Sequence, residues 1–524
     1  MDLLFAEGSQ KNTRRLKAET IKDLALSEVI ESMAGDKNAL TVIKKIFTEI
    51  PLDIEDIRFR QDIMRDLVEN SELSEGLSEI IFMIQTLKDY DSRTSLVSGG
   101  ETSLYTLLEN LREISAYVNV SEALSKILAE YPVRSKGLNE LKDKISGIVG
   151  DEGFAETKQD IDNMLEELST VKGAIVGVNF TPDLNVESVA AIEFVPYRLR
   201  SKYKFAEIAA AIGNVISFGT ASNSIRGPVS NVHVVDPLLV NMTPAMEKHL
   251  KTHYFRIKSC MKKYLDIDST FITEMYEALT FYTSAARFIQ RLRQKGYELC
   301  FPDLSEDKDG FYISDLYNIR LALTGEENII KNDFSFTKEE NLFILTGPNR
   351  GGKTILEQAL GIISVMASCG LCVTASKCTG RPFDNILTHF PIDENLTINY
   401  GRLGEEAVRI KELVKEADDK TLLLFNETYS TTSSSDGLYL SKDLLHILKE
   451  KGAAVIFNTH IHEVARDIGE MNTWEGESRF VSLVMEIKNG ENTFKVKRSE
   501  PDTRSYAEKI AEKYGITYDQ MKHM

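Results

Sequence analysis

Cysteine is scarce in this chain, with Cys260, Cys300, Cys369, Cys372 and Cys378 the only five among 524 residues. So few thiols, so unevenly placed, exclude a disulfide framework and point to reduced cysteines. Cys369 and Cys372 form a lone C-x-x-C without the second pair that a structural zinc site needs, so core packing is their expected role. Long apolar runs are missing as well: none approaches the length that crosses a bilayer, and the N-terminus MDLLFAEGSQKNTRR has no extended apolar core of a signal peptide. A cytoplasmic protein without a membrane partner is expected. Positive charge is in deficit, 62 Lys and Arg against 80 Asp and Glu for a net −18, which argues against indiscriminate coating of nucleic acid but not against a local site. Basic and aromatic residues do gather at three places: from Tyr197 and Arg198 to Lys204, from Lys251 to Lys263, and at Arg287, Arg291, Arg293 and Lys295. Taken alone, each of these reads first as a solvated helix face.

The composition that remains, 42% hydrophobic and 27% charged, is that of an ordinary globular protein. The expected fold is multidomain. A mainly α-helical core and lever region with a small β insertion is followed by an α/β P-loop ATPase domain. Residues 1–40 read as an N-terminal helical segment and residues 41–300 as the helical core and lever, with Leu, Ile and Met at three- and four-residue spacing. Near 173–195 the pattern changes to two β-rich runs around Thr181-Pro182-Asp183, a strand pair set into the helices. From 301 to 524 apolar strands (NLFIL, TLLLF, AAVIF, RFVSLVMEI) alternate with helical stretches, the pattern of an α/β nucleotide-binding domain.

The most specific chemistry lies in Gly347-Pro348-Asn349-Arg350-Gly351-Gly352-Lys353-Thr354, which satisfies G-x-x-x-x-G-K-[ST] at every fixed position. The strand NLFIL precedes it and an apolar helix follows, the context in which this pattern cradles phosphate. Its glycines let backbone N–H groups face an anion, and the helix adds the positive end of its dipole. Lys353 can reach the β- and γ-phosphates of ATP, and the Thr354 hydroxyl can ligate Mg2+.

A second element is Thr421-Leu422-Leu423-Leu424-Phe425-Asn426-Glu427, an apolar strand ending in two polar residues where a Walker B motif belongs. In a parallel sheet its carboxyl end comes beside the glycine loop, placing Glu427 to polarise an attacking water. An acid is expected before that Glu, and Asn426 stands there instead. Its amide can accept a hydrogen bond from metal-bound water but adds no negative charge, so a weaker Mg2+ site and slow turnover are expected. A third strand, Ala453 to Phe457, ends in Asn458-Thr459-His460-Ile461-His462-Glu463. His460 is a candidate γ-phosphate sensor or a strand-end histidine bonded to backbone; a metal site at His460, His462 and Glu463 lacks a further ligand.

Taken together, these motifs resemble the MutS family of DNA mismatch repair ATPases. TGPNRGGKT is similar to the family's TGPNMGGKST, and LLLFNETYSTTSSSDG, from Leu422 to Gly437, resembles its Walker B strand, Thr/Ser-rich loop and Asp-Gly, here Asp436-Gly437. FNTHIHEV resembles the family's ATH-x-x-E-L, and Arg504-Ser505-Tyr506 through Ile510-Ala511 and Gly515 resembles its closing motif. Upstream, Pro51-Leu52-Asp53 to Gln61 resembles the entry to the family's helical core. The resemblance implies bound ATP and Mg2+, Asp436 at the nucleotide site, a homodimer through the ATPase domain, and double-stranded DNA as partner. It implies a DNA-dependent ATPase or ATP-gated DNA clamp related to mismatch repair. An ATP-binding switch with little hydrolysis and an ATPase acting on a protein partner remain open.

Departures accompany the matches. The core-like segment begins by about residue 40, leaving no room for the family's Phe-x-Glu mismatch-reading domain, and little follows Gly515 to serve as a helix-turn-helix. Leu403 falls where the signature helix would carry its Ser, leaving Asn399, Arg402 or a backbone N–H to substitute. The adenine-side F-x-x-N-D appears as Ile329-Ile330-Lys331-Asn332-Asp333, an aliphatic contact in place of an aromatic one.

Overall fold

A computed structural model describes residues 2–97, 104–169, 172–183, 186–198, 258–259, 269–391, 402–430, 432–488, 491–500, 515 and 517–522. The chain divides into two compact units. One comprises Gly76–Pro132 and Glu140–Tyr276 with Met1; the other comprises Asp2–Glu75, Val133–Asn139 and Glu277–Met524.

The first unit is helical, with one antiparallel strand pair. Its long helices fall within Ser71–Val97 and Leu104–Glu130, joined by parts of Lys136–Val149 and Thr270–Gln294 and by Glu152–Ser169. They pack closely enough that a Cβ on Gly76 would lie 2.3 Å from Ile127 Cδ1, and the rings of Tyr117 and Phe154 meet at 6.4 Å. The strands Gly173–Phe180 and Val186–Val195 pair antiparallel from Gly173↔Val195 to Phe180↔Val186, at the place where the sequence changes period.

The second unit is built on a six-stranded sheet. In chain order its strands are β1 (Glu340–Thr346), β2 (Asn385–His389), β3 (Thr421–Asn426), β4 (Ala454–Asn458), β5 (Arg479–Lys488) and β6 (Glu491–Arg498), in spatial order β2-β3-β4-β1-β5-β6. The first five run parallel to their neighbours, and β6 closes the edge as an antiparallel hairpin with β5. Continuous apolar runs such as LLLF are explained by burial on both faces. On one face Leu342, Ile344, Leu423, Phe425, Val455 and Phe457 share a core with helices α2 (Arg402–Glu416) and α3 (Ser434–Glu450). On the other, α1 (Lys353–Ser368) approaches so closely that a Cβ on Gly361 would stand 2.9 Å from Leu424 Cδ1.

Two features of this unit were not visible in the alternation of strands and helices. A second sheet of four short strands, Asp303–Leu304, Gly310–Leu316, Asn332–Thr337 and Lys377–Gly380, is joined to the first through edge-to-face rings, among them Phe334 against Phe343 at 4.9 Å and Phe336 against Phe343 at 5.5 Å. The N-terminal residues also belong here, so compactness does not follow the sequence boundaries at 40 and 300. Thr20 Oγ1 donates to Ile386 O at 3.2 Å, and Asp23 accepts from Thr388 Oγ1 at 2.7 Å, tying the N-terminus to β2. The helix Ile54–Glu69 is anchored by its polar residues: Asp56 accepts from Ala6 N and Ser9 Oγ, Arg58 donates to Leu304 O, and Gln61 donates to Pro302 O. The Pro51–Gln61 motif therefore holds this unit together.

Gly370 reports that anchoring. It closes α1 in the left-handed region at φ +78°, and a Cβ there would stand 2.7 Å from Arg60 Cβ and 3.0 Å from both Gln61 N and Ile57 O. Backbone strain and overpacking then add, so Gly370→Ala is expected to destabilise the protein by about 2–4 kcal/mol, read as a lower denaturant midpoint.

Candidate functional site

The carboxyl ends of β1, β3 and β4 are in register: Asn426 lies opposite Asn458, and Asn458 opposite Leu345. The segments that follow are therefore neighbours at one sheet edge, the place where open parallel sheets bind ligands. Cross-bonds fix their exit: Thr459 N donates to Leu345 O at 3.1 Å and Glu427 N to Asn458 O at 2.9 Å.

From β1 the chain enters the glycine loop. Gly347, Arg350 and Gly352 take φ of +137°, +61° and +94°. A Cβ on Gly347 would come within 2.9 Å of Met485 Cβ, so glycine is required there by conformation and space together. Lys353 opens α1 and is 5% exposed; its ammonium donates to Gly347 O at 3.0 Å and Pro348 O at 3.3 Å. Burial holds its pKa below the ordinary lysine value, against the pull of Glu427 and Glu357. The hairpin β5–β6 braces the loop, Asn492 Nδ2 donating to Arg350 O at 3.3 Å, and is itself tied to the second sheet by Asn332 Nδ2, which donates to Phe494 O at 3.1 Å.

After β3 the chain turns through Glu427 and Tyr429, both non-glycine residues at positive φ (+53° and +60°). Strain of this kind persists only where neighbours impose it. Tyr429 N donates to Glu406 Oε1 at 2.9 Å, and the buried His389 bonds Thr428 Oγ1 through Nδ1 at 3.0 Å. Burial pulls the His389 pKa down to about 4, so the ring is neutral and its 3.9 Å approach to Glu406 is not an ion pair. The turn presents Glu427 to His460 Nε2 at 2.7 Å. That bond is the main cause holding the Glu427 carboxyl below its ordinary value, while partial burial opposes it. Glu427 is thus ionised, as a group that polarises water must be.

Beneath the loop lies a polar chain. The Thr354 hydroxyl donates to Asn426 Oδ1 at 3.4 Å; Asn458 Nδ2 donates to the same oxygen at 2.6 Å and to Glu357 Oε2 at 3.1 Å. Thr354 and Asn426 offer the neutral oxygen donors that suit a hard cation, and Glu427 brings charge to the same strand end, so the residues fit Mg2+.

The glycine loop, Lys353, Thr354 and Glu427 border a cleft of about 770 Å3, whose lining also includes Asn318, Ile330 and Phe494. Its far wall, with Tyr317, Leu321, Ile329 and Ile330, is largely apolar and can receive a planar base while the loop N–H groups receive an anion.

Two family models match the chain: MutS domain V over residues 343–522 and the MutS2 N-terminal domain over residues 52–191. The chain belongs to the MutS family. Among its relatives, a DNA mismatch repair protein MutS of Shouchella clausii is 28% identical over 189 residues, 36% of this chain and 22% of that protein. An Endonuclease MutS2 of Staphylococcus carnosus is 29% identical over 189 residues, 36% and 23% of the two chains. DNA mismatch repair protein spellchecker 1 of Drosophila melanogaster is 30% identical over 165 residues, 31% and 18% of the two chains. The matched part thus spans about a fifth of the length of these relatives.

In this MutS-family chain the structure brings Gly347 to Thr354, Asn426, Glu427 and His460 to one edge. Asp436 is placed differently. It lies in the first turn of α3, where Ser433 Oγ donates to its Oδ2 at 2.6 Å and accepts from its N at 3.2 Å, and it does not line the cleft. Asn399 and the residues of the closing motif up to Ala511 lie outside the described residues, while Leu403 is 37% exposed on α2. The basic residues from Arg200 to Lys204 and from Lys251 to Arg256 also fall outside. Arg291 and Arg293 are engaged by carbonyls, donating to Ser32 O at 2.6 Å and Leu299 O at 3.3 Å. Cys369, Cys372 and Cys378 are buried free thiols, each with its pKa raised by burial, and no cluster of three metal-ligating residues occurs among the described residues. No described helix is long and apolar enough to cross a membrane.

Sequence reasoning missed Glu357, Asn458, His389 and Glu406. For Glu357 a signal existed: it is the single acid in KTILEQALGIISVMAS, on a helix otherwise apolar enough to be buried all round.

Proposed function

We propose that this MutS-family chain binds ATP with Mg2+ at the glycine loop, hydrolyses it slowly, and couples the nucleotide state to double-stranded DNA. The observation that carries the reading is the register of β1, β3 and β4, which sets Lys353, Thr354 and Glu427 on one cleft, with Asn426 bonded to Thr354 and His460 to Glu427. Lys353 gives up its carbonyl partners for β- and γ-phosphate oxygens, and the loop N–H groups hold the remaining charge. Thr354 and Asn426 hold the cation, which when bound neutralises charge on the phosphates. Glu427, oriented by His460, accepts a hydrogen bond from the attacking water and aligns it. His460 stands beside Glu427 and so also reports the γ-phosphate. By family resemblance two copies join through their ATPase domains.

The amide at Asn426 favours a second reading, an ATP-gated binding switch in which hydrolysis matters little. The net charge of −18 favours a protein partner over DNA. One experiment separates them: binding of perfect, mismatched and branched duplexes, with and without ATP and Mg2+, across a salt series. The expected result is duplex binding whose affinity changes with ATP and falls with salt. No binding to any duplex at low salt would sink the DNA reading and leave the protein partner.

A further inference from the structure

The negative charge that Asn426 lacks is present one layer deeper. Glu357 lies one turn beyond Lys353, fully buried, on a helix where any apolar side chain of similar size would fill the space at less cost. Its Oε2 takes one N–H of the Asn458 amide and Asn426 Oδ1 takes the other, which uses up that nitrogen. Asn458 Oδ1 and Glu357 Oε1 have no partner. Glu357 Oε2 accepts that bond, which turns the Asn458 nitrogen inward. Asn458 in turn dictates that Asn426 turns its oxygen, not its nitrogen, toward Thr354. With an apolar residue at 357 both amides could flip and would aim N–H groups at the place a cation needs oxygen.

We propose that Glu357 is a positioning residue for Mg2+: through Asn458 it holds the Asn426 oxygen toward Thr354, and it supplies from α1 the negative charge absent from the end of β3. Burial, with the charge of Glu427 adding to it, pushes the Glu357 pKa well above its ordinary value, and the Asn458 bond and the Lys353 ammonium oppose that rise. A divalent cation held at Thr354 would act in the same sense as Lys353 and draw Glu357 toward its ionised form.

This inference rests on the nucleotide reading of the cleft, and its test separates the two. A fluorescent non-hydrolysable ATP analogue is titrated against the full chain with and without Mg2+, and Mn2+ binding in the presence of the analogue is followed by electron paramagnetic resonance. If the unmodified protein binds no analogue, the nucleotide reading fails and this one with it. Given binding, Glu357→Gln is expected to keep the metal-free affinity while raising the Mg2+ and Mn2+ midpoints about 10–100-fold, as loss of an outer-shell partner does. Unchanged midpoints would overturn the role of Glu357 and leave the nucleotide reading standing. Glu357→Gln with Asn426→Asp returns one carboxylate to the network at the strand end and is expected to bring the midpoints back toward the original. That double variant also carries the test if the single variant does not fold. Midpoints that stay raised in it would overturn the proposal that charge is what Glu357 contributes.

Discussion

Glu427→Gln is expected to leave ATP binding intact and to lower turnover by about 10²–10⁴-fold, the usual contribution of a positioned base. The amide keeps the size and planarity of the carboxylate and still offers an oxygen to His460 Nε2, now 2.7 Å away. What it loses is the charge that polarises water. Single-turnover hydrolysis, measured beside equilibrium ATP affinity, separates the two quantities. Retained turnover with Mg2+ present would remove Glu427 from the mechanism, whereas a loss of both affinity and turnover would mean that the side chain shapes the cleft instead. His460→Ala extends the argument. Its effect should fall in the same direction and be smaller, because the carboxyl stays in place and loses only the bond that orients it and helps hold its pKa down. The two effects should also fail to add when combined, since both act through one hydrogen bond. If the protein is a switch with little hydrolysis, the unmodified chain already turns over slowly and the variant changes ATP affinity no more than it changes anything else.

The glycine loop, the strand ends and the α/β character of residues after 301 were legible because each has a local signature: a fixed pattern, an apolar run buried on both faces, an alternation of elements. The register that joins them was only partly legible. Nothing in TLLLFN or AAVIFN says that Asn426 and Asn458 face one another, and it is this pairing that reveals the polar chain leading to Glu357. The second sheet escaped notice because its strands are two to seven residues long and gain their stability from rings on other elements, as Phe334 does from Phe343. The place of the N-terminus escaped for a similar reason. Thr20 and Asp23 bond to β2 across more than three hundred residues of sequence, and no local pattern encodes a contact of that range. Asp436 shows how resemblance and local chemistry can offer separate accounts of one residue. Its Asp-Gly context carried a nucleotide role by resemblance, while its local chemistry, an acid in the first turn of a helix behind a capping Ser433, already accounts for its position.

Lys353→Ala is the variant for which stability and binding should part most clearly. In the structure the ammonium is almost fully buried, satisfied by two carbonyls, and held below its ordinary pKa by desolvation. A buried cation with partners of that kind costs the empty protein something, so truncation should not lower the melting temperature measured without nucleotide. Bound triphosphate changes the balance. The same ammonium then meets phosphate oxygens, and a charge-assisted hydrogen bond in a partly buried site contributes about 1.5–3 kcal/mol. Removing it should weaken ATP binding by about 10–150-fold and erase most of the rise in melting temperature that saturating ATP gives the unmodified chain. Lys353→Arg should not rescue binding, because the planar guanidinium cannot occupy a space closed by Gly347 O and Pro348 O. An Ala variant that keeps the ATP-dependent shift would place the triphosphate somewhere other than the glycine loop, and one that melts early without nucleotide would make Lys353 a structural strut between the loop and α1.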